Sequence, residues 1–216
     1  MASVSEHFFS DEEQKKICAT VHLAEMKTSG EIVPMVVSES GSYPLAAIRG
    51  ATLIALLAAL LLTGPVAARF WLNETNLWVF LSLFTPLFLG SHFLVNAVPA
   101  LKRLMLFNDE MDIEVRDAAF SAFFTERLHK TRDSNGILIY ISLFERRAWV
   151  IADSGISARI PCQQWEEVIT LVTHGIREKN QCQALCQAIE MVGSVLEKEF
   201  PIRNDDLNEL HDLIIR

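Results

Sequence analysis

The chain has 216 residues, half of them hydrophobic, and carries a formal net charge of −8. This acidic balance argues against nucleic acid as a partner, because nucleic-acid binding depends on Lys and Arg side chains that neutralise phosphates. The hydrophobic residues are concentrated in residues 44–101, whose only charged residues are Arg49, Arg69 and Glu74. These three give +1, so the rest of the chain carries −9 and is long enough for one compact soluble domain.

A polar, amphipathic segment opens the chain. Ser10 followed by Glu13 forms a capping box, which predicts that a helix begins there. Ile17 and Val21 continue the helix at the expected spacing, and Gly30 is a natural stop. Since the first 30 residues contain no apolar signal-peptide core, we expect the soluble parts to stay in the cytoplasm.

Residues 31–38 form the first predicted strand. Pro34 lies inside it and lacks a backbone N–H, so we expect this strand to lie at a sheet edge or to contain a bulge. Two uncharged stretches follow, residues 50–68 and 75–101. At 1.5 Å per residue the first spans ~29 Å, which matches the hydrocarbon thickness of a bilayer.

The connection between these two stretches, residues 70–74, is short. The pair therefore predicts a two-helix transmembrane hairpin whose flanking parts lie on the same side of the membrane. We expect a discontinuous soluble domain, residues 1–43 and 102–216, into which the hairpin, residues 44–101, is inserted after the first strand.

The charges beside the hairpin predict its orientation. Arg49, Lys102 and Arg103 lie on the domain side, whereas Arg69 lies on the outer side. Because Lys and Arg are enriched in cytoplasmic loops, we expect a multi-pass protein of the inner (cytoplasmic) membrane with its soluble domain facing the cytoplasm.

The second part of the soluble domain alternates helices and strands. We predict a helix with a broad apolar stripe that includes Phe120 and Phe124 (residues 112–130), two strands (137–144 and 148–152) and two further helices (161–178 and 182–199). With the hairpin removed, the order is α-β-α-β-β-α-α. Helices long enough to cover both faces of a small sheet indicate an α/β sandwich.

The four cysteines form no C-x-x-C pair. Cys182 and Cys186 are four residues apart, which places them on one helix face in a poor orientation for a disulfide. We therefore expect Cys18, Cys162 and this pair to be small hydrophobic residues in a reducing compartment.

Three segments carry a family resemblance: FFTERLHKTRDSNGILIYISLFERRAWVIADSGI (123–156), the opening FFSDEEQKKICATVHLAEMKTSGEI and the closing FPIRNDDLNEL. They strongly resemble the TPM domain, which is shared by a thylakoid-lumen protein, a photosystem II repair protein and a nematode acetylcholine-receptor auxiliary subunit. Many uncharacterised bacterial proteins look similar. The resemblance covers essentially all of the chain outside the hairpin.

The resemblance implies a Rossmann-like α/β/α sandwich tied to a membrane. It implies a role in the assembly, repair or modulation of membrane complexes, with acid phosphatase activity in some members and bound calcium in others. This chain departs from relatives that carry a signal or transit peptide, because it has an internal hairpin and is expected to face the cytoplasm, where free calcium is scarce.

Strand directions predict a cluster of oxygen ligands. If the strands at 31–38 and 137–144 run parallel, the antiparallel strand after them ends beside their starts. Four oxygen-bearing side chains would then gather at one sheet edge, suited to a hard cation such as calcium or magnesium: Glu31, Asp133, Asn135 and Asp153. Alternatively, Asp133 and Asn135 make a turn, Asp153 caps a loop and Glu31 is solvated.

Two further binding candidates contain histidine. His129, with Arg132 nearby, could bind a phosphate, although cations at a helix C-terminus are also expected on dipole grounds. His92 lies inside the second apolar stretch, where an ionisable residue indicates function by default. Its neighbours Gly90 and Asn96 favour packing within the hairpin, or against another membrane protein or a second copy of the chain.

The chain contains no H-E-x-x-H, G-x-S-x-G or Walker motif. We therefore expect a membrane-anchored, non-enzymatic interaction module that assists assembly, repair or modulation of a membrane protein complex. The alternative is a divalent-metal-dependent (acid) phosphatase acting through the carboxylate cluster. No cofactor is certain from the residues, and calcium or magnesium belongs to the alternative.

Overall fold

The computed structural model describes residues 8–71, 77–202 and 210–216. The chain divides into two compact units. We call Met1–Gly41 together with Met111–Arg216 the α/β unit, and Ser42–Glu110 the hairpin unit.

The elements follow one another in an order close to the one predicted. They are α1 (Asp11–Glu25), β1 (Glu31–Val37), α2 (Pro44–Arg69), α3 (Leu77–Ala97), α4 (Pro99–Leu104), α5 (Asn108–Thr125), a 3₁₀ turn (Leu128–Lys130), β2 (Gly136–Ser142), β3 (Arg147–Ala152), α6 (Ser154–Ser157), α7 (Gln164–Arg177), α8 (Gln181–Glu199) and β4 (Ile214–Ile215). The capping box at α1 is formed: the Ser10 hydroxyl accepts from the Glu13 amide, and the Glu13 carboxylate accepts from the Ser10 amide at 2.9 Å.

Four strands in the order β3-β2-β1-β4 form the sheet of the α/β unit. β1 pairs in parallel with β2 and with the two-residue β4, whereas β3 is antiparallel to β2. The register places Glu31 opposite Gly136 and Ile137 opposite Ala152. The carboxyl end of β3 therefore lies beside the amino ends of β1 and β2.

The two faces of this sheet bury different residues because side chains alternate along each strand. On one face Ile32 and Val36 pack in a core with residues of α1, α7 and α8. On the other face Val33 and Met35 pack against α5. This is the predicted α/β/α sandwich. Burying each such aliphatic side chain contributes about 1.5–3 kcal/mol.

Pro34 lies in a strand that is paired on both sides, yet its missing N–H costs no ladder bond to β2. The Ile32 amide, two residues earlier, donates to Glu25 Oε1 rather than to a strand, and the Val36 carbonyl accepts from the Arg216 amide near β4. Backbone groups two residues apart in a strand point to the same side, so the nitrogen of Pro34, like the amide of Ile32, points away from β2. On that side β4 pairs only with Met35 and Val36. The proline therefore lies where the outer side of β1 is nearly an edge.

Helix α5 buries a narrower stripe than predicted. Ala119 and Phe123 face the sheet, whereas Phe120 and Phe124 are exposed, so their predicted burial is wrong. The helix also ends at Thr125, five residues before the predicted end, because Arg127 adopts a left-handed conformation with φ 62°. Only the side of α5 that faces the sheet is buried. The predicted apolar stripe was wider than that side, so Phe120 and Phe124 lie outside the contact.

The hairpin unit consists of α2 and α3 packed side by side, with α4 after them. Small side chains recur every fourth residue of α2 and are buried, which lets the two helices approach closely: Ala47, Ala51, Ala55 and Ala59. Both α2 and α3 are long and apolar enough to cross a membrane, with mean hydropathies of 2.3 and 1.7. The structure thus contains the predicted helical hairpin after the first strand.

The second uncharged stretch, residues 75–101, contains the helix α3 and the start of α4. α3 ends at Ala97, and α4 begins at Pro99 after Val98 adopts an extended conformation. A residue before proline avoids the helical region, so the break follows from the sequence. Most of the predicted connection at residues 70–74 lies outside the described residues.

Candidate functional site

Backbone pairing brings three of the four predicted cation ligands to one sheet edge. The Glu31 amide donates to the Asn135 carbonyl at 3.1 Å, and the Asp153 amide donates to the Gly136 carbonyl at 2.9 Å. Glu31, Asn135 and Asp153 are all buried. The amino ends of β1 and β2 and the carboxyl end of β3 thus form a compact polar edge.

The Asn135 side chain hydrogen-bonds to the backbone of another loop. Its Nδ2 donates to the Ser29 carbonyl, and the Asn135 backbone amide donates to Thr131 Oγ1 at 3.0 Å. Both partners are buried. Asn135 therefore ties the loop before β2 to the loop before β1.

Asp153 caps α6 with one carboxylate oxygen. Its Oδ1 accepts from the Ser154 amide at 2.6 Å. Its Oδ2 is buried and has no hydrogen-bond partner among residues 8–71, 77–202 and 210–216. An unsatisfied buried carboxylate oxygen is costly, and it is the feature of this edge that most indicates a ligand.

The loop between the 3₁₀ turn and β2 is pressed against the segment after Asp153. The Gly155 amide donates to the Ser134 carbonyl at 3.1 Å. A Cβ at Gly155 would lie 2.6 Å from the Ser134 oxygen and 2.8 Å from the Asp133 oxygen. The Asp133 side chain is exposed, unlike those of the other three candidates. Glycine is required here so that two backbones can approach.

The edge provides fewer ligands than a preformed cation site. In the part of the chain that the structure describes, no group of three or more His, Cys, Asp or Glu side chains is placed to hold a metal ion. Two buried carboxylates remain, those of Glu31 and Asp153. The predicted four-residue set stays a prediction, and the Asp153 Oδ2 atom is its main support.

Two surface grooves of the α/β unit lie elsewhere. One, of about 340 Å³, runs between α1 and α8 and is lined by residues that include Lys27, Glu190 and Glu197. The other lies on α7 beside Glu166 and His174. Neither groove is lined by a residue of the polar edge.

His129 lies in the 3₁₀ turn and contacts aromatic rings. Its ring centre is 5.1 Å from that of Phe124 and 6.5 Å from that of Phe123. Arg132 is exposed in the loop that follows. The contacts of His129 are those of a residue packed on the end of α5, and its proposed phosphate binding stays a prediction.

His92 ends an aromatic row on α3. Phe80, Phe84, Phe88 and His92 are spaced four residues apart, with successive ring centres 5.8, 6.1 and 6.2 Å apart. Asn96 Nδ2 lies 3.2 Å from His92 Nε2 and donates to the His92 carbonyl at 3.0 Å.

A polar patch on α3 surrounds this pair. His92 Nδ1 is buried without a hydrogen-bond partner in the described residues, whereas Asn96 is exposed. Gly90 is also exposed, and a Cβ added to it would meet nothing within 4 Å. We call Gly90, His92 and Asn96 the α3 patch.

Sequence reasoning missed a buried carboxylate at the opposite end of the sheet. Glu145, in the turn between β2 and β3, is 1% exposed. Its Oε1 accepts from the Ser40 amide at 3.0 Å, and its Oε2 accepts from the Ser142 hydroxyl. A charged residue in a tight turn ordinarily points to solvent, so no local signal identified it.

Tyr140 belongs to the same end of the sheet. Its hydroxyl lies 3.2 Å from Ser40 Oγ. Burial raises the pKa of Tyr140, and the nearby Glu145 carboxylate raises it further, while the bond to Ser40 acts in the opposite direction. The phenol is therefore held in its neutral form, as a structural hydrogen-bonding group.

Comparisons with known proteins agree with the α/β fold described above. Residues 90–195 match the family model of the TPM domain. The NMR structure of the BA42 protein from the psychrophilic bacterium Bizionia argentinensis sp. nov. is similar, with a TM-score of 0.57 and 20% sequence identity. That comparison covers 96% of this chain and 94% of the BA42 chain, and its low identity makes it a statement about fold. No curated protein matches this chain.

Proposed function

We propose that this chain, whose residues 90–195 match the family model of the TPM domain, is a membrane-anchored interaction module that assists the assembly, repair or modulation of a membrane protein complex. The hairpin unit supports the anchoring part of the proposal, because its two long helices present leucine-rich outer surfaces typical of lipid contact. The bilayer is then the first partner of this protein.

The α3 patch carries the interaction part of the proposal. A half-exposed His–Asn pair on a helix facing lipid is unfavourable unless another group satisfies it. Beside it, Gly90 leaves room for a second helix to approach closely. Small residues next to hydrogen-bonding ones are typical of helix–helix contacts in membranes. The partner we propose is a transmembrane helix of another membrane protein or of a second copy.

The orientation that we propose follows from charge. Arg49, Lys102 and Arg103 lie at the end of the hairpin unit where the chain enters and leaves it. By the enrichment of cations on the cytoplasmic side, the α/β unit faces the cytoplasm from the inner membrane.

Gly64 and Gly90 provide a matched test, because both have open space where a side chain would begin. A Cβ at Gly64 on α2 meets nothing within 4 Å, as at Gly90 on α3. Neither Gly90→Leu nor Gly64→Leu should therefore disturb the hairpin itself. The measurement is the size of the complex extracted in mild detergent from cells that make the protein, separated on native gels.

We expect wild-type protein and Gly64→Leu to migrate in a complex, and Gly90→Leu to migrate as a free chain. A wild-type protein that migrates alone, or a Gly90→Leu variant that stays in the complex, would contradict the proposal.

The Asp153 oxygen favours a second candidate function, a divalent-metal-dependent phosphatase. Magnesium often binds through one or two carboxylates and completes its shell with water and substrate phosphate. Glu31 and Asp153 would supply those carboxylates, and the ion would supply Lewis-acid activation of a phosphoryl group. Neither of the two grooves described above is lined by Glu31 or Asp153, so this candidate has less support than the interaction module.

Calorimetric titration of the detergent-purified protein with Ca²⁺, Mg²⁺ and Mn²⁺ tests this candidate. Saturable binding that is lost in Asp153→Asn would support the site and justify a phosphatase assay. If binding is unchanged in Asp153→Asn, or no ion binds, the carboxylate edge is structural.

A further inference from the structure

We propose that the base of the hairpin unit binds the phosphate headgroups of anionic phospholipids, through a cationic collar formed by Arg49, Lys102 and Arg103. This inference rests on the proposed membrane anchoring and adds a lipid preference to it. It concerns the hairpin unit alone, and every contact described below lies within Ser42–Glu110.

The three cations belong to the same end of the hairpin unit. Arg49 lies in the second turn of α2, and Lys102 and Arg103 lie in the last turn of α4. The neighbouring Gly50 fixes this proximity, since a Cβ there would lie 2.9 Å from the Met105 side chain just after α4. The chain both enters and leaves the hairpin at this end.

Two of the cations are held over aromatic rings. The Arg49 guanidinium carbon lies 4.7 Å from the centre of the Phe107 ring, and Lys102 Nζ lies 5.8 Å from that of Tyr43. A cation–π contact orients a charge without neutralising it. The rings thus keep both charges at the hairpin base instead of letting them extend freely into solvent.

An acidic residue restrains one member of the collar. Arg49 Nη2 lies 2.6 Å from Glu110 Oε2, and Arg49 Nε donates to the Leu45 carbonyl at 3.3 Å. Arg49 is therefore partly neutralised by Glu110.

Exposed apolar side chains accompany these cations. Leu104 directly follows Arg103 and Phe107 lies four residues after it, and these two side chains are 74% and 62% exposed. Basic residues beside exposed Leu and Phe are typical of segments that lie in the membrane interface, with the apolar side chains in the acyl region and the cations at the headgroups. A lone soluble phosphate would not explain the apolar side chains.

The opposite end of the hairpin unit differs. Its described residues contain a single cation, Arg69, together with two exposed tryptophans, Trp71 and Trp78. Tryptophan is enriched at membrane interfaces irrespective of lipid charge. The two ends therefore suit different surfaces, and Arg69 provides a control position with the same charge outside the collar.

The test uses the full chain in detergent micelles that contain equal amounts of phosphatidylglycerol and phosphatidylcholine, with bound lipids counted by native mass spectrometry. We expect wild-type protein and Arg69→Gln to retain phosphatidylglycerol preferentially. Each of Lys102→Gln and Arg103→Gln should weaken that retention about fivefold, as expected for one cation near a charged bilayer surface. Circular dichroism establishes that each variant is folded, and Lys102→Arg should restore retention.

Equal retention of the two lipids by the wild type would overturn the inference, as would an equal loss in Arg69→Gln. Inorganic phosphate alone is the second probe: saturable phosphate binding that depends on Lys102 would assign the site to free phosphate instead. Reconstitution into pure phosphatidylcholine nanodiscs separates this inference from the proposed function. A chain that fails to insert into these nanodiscs would contradict the proposed membrane anchoring. A chain that inserts into them but shows no preference for phosphatidylglycerol in the mixed micelles would contradict only the proposed collar.

Discussion

The buried carboxylate of Glu145 accepts a hydrogen bond from the Ser40 amide at 3.0 Å. These residues are 105 positions apart in the chain. Ser40 lies just after β1, in the last residues of the α/β unit before the hairpin unit begins. Glu145 thus fastens the segment that leads to the hairpin onto the turn between β2 and β3.

Replacing Glu145 should reveal the strength of this connection. Glu145→Ala would leave the Ser40 amide and the Ser142 hydroxyl without their acceptor, and we expect a loss of about 2–5 kcal/mol in the free energy of unfolding. Glu145→Gln keeps one acceptor oxygen and should lose less. Denaturant unfolding followed by circular dichroism measures both, with the exposed Glu190→Ala as control, expected within about 0.5 kcal/mol of wild type. A Glu145→Ala variant as stable as that control would contradict the prediction.

Gly155 should not tolerate a side chain. A Cβ there would lie within 2.8 Å of the Asp133 and Ser134 carbonyl oxygens. Because backbone atoms cannot rotate away, we expect Gly155→Ala to destabilise the α/β unit by about 1–3 kcal/mol. The same substitution at Gly64, where space is open, should leave the unfolding of that unit unchanged. Equal stability of the two variants would show that the loop can move.

Two adjacent phenylalanines of α5 should respond differently to substitution. Phe123 is 4% exposed and Phe124 is 58% exposed. We expect Phe123→Ala to lower the free energy of unfolding by about 3–5 kcal/mol, and Phe124→Ala to lower it by less than about 1 kcal/mol. Denaturant unfolding of the two variants checks the prediction. A large loss in Phe124→Ala would mean that its ring is covered in solution.

The cysteines should differ in reactivity. Cys162 is exposed, contrary to the expectation of four hydrophobic cysteines, whereas Cys182 is buried. Burial, with the nearby Cys186 adding to it, raises the pKa of Cys182 to about 11. At neutral pH we expect iodoacetamide to modify Cys162 first and Cys182 only after unfolding, since the thiolate is the nucleophile. Peptide mass spectrometry identifies the sites, and early labelling of Cys182 in Cys162→Ser would refute the assignment.

Glu110 should titrate at lower pH than an ordinary glutamate. Its bond to Arg49 lowers its pKa from 4.5. A carboxyl whose folded pKa is lowered contributes stability above its unfolded pKa, and this contribution disappears as the pH falls through the folded pKa. We therefore expect the Arg49–Glu110 contact to persist at pH 4.5 and to be lost in stronger acid. NMR titration of the Glu110 carboxyl should show its pKa rising in Arg49→Gln, and an unchanged pKa would contradict the pairing.

Local patterns predicted the elements and the sandwich well. The capping box placed the start of α1 correctly because its bonds involve residues three apart. The uncharged stretches predicted α2 and α3 because length and composition alone decide whether a helix can span a bilayer. The predicted directions of β1 and β2 brought Glu31 and Asn135 to one edge, since parallel strands share their ends.

What the sequence could not decide depended on distant partners. The apolar residues of α5 form a pattern wider than one helix face, and only the position of the sheet selected Phe123 for burial and left Phe124 exposed. In the same way, Glu145 is buried because a serine amide more than a hundred residues earlier lies within hydrogen-bond distance of it. The sequence by itself determined helices, strands and the apolar hairpin, since these follow from interactions between near neighbours. The tertiary structure decided which polar and aromatic groups are satisfied and which stay open to partners, since that depends on segments that meet only when the chain folds.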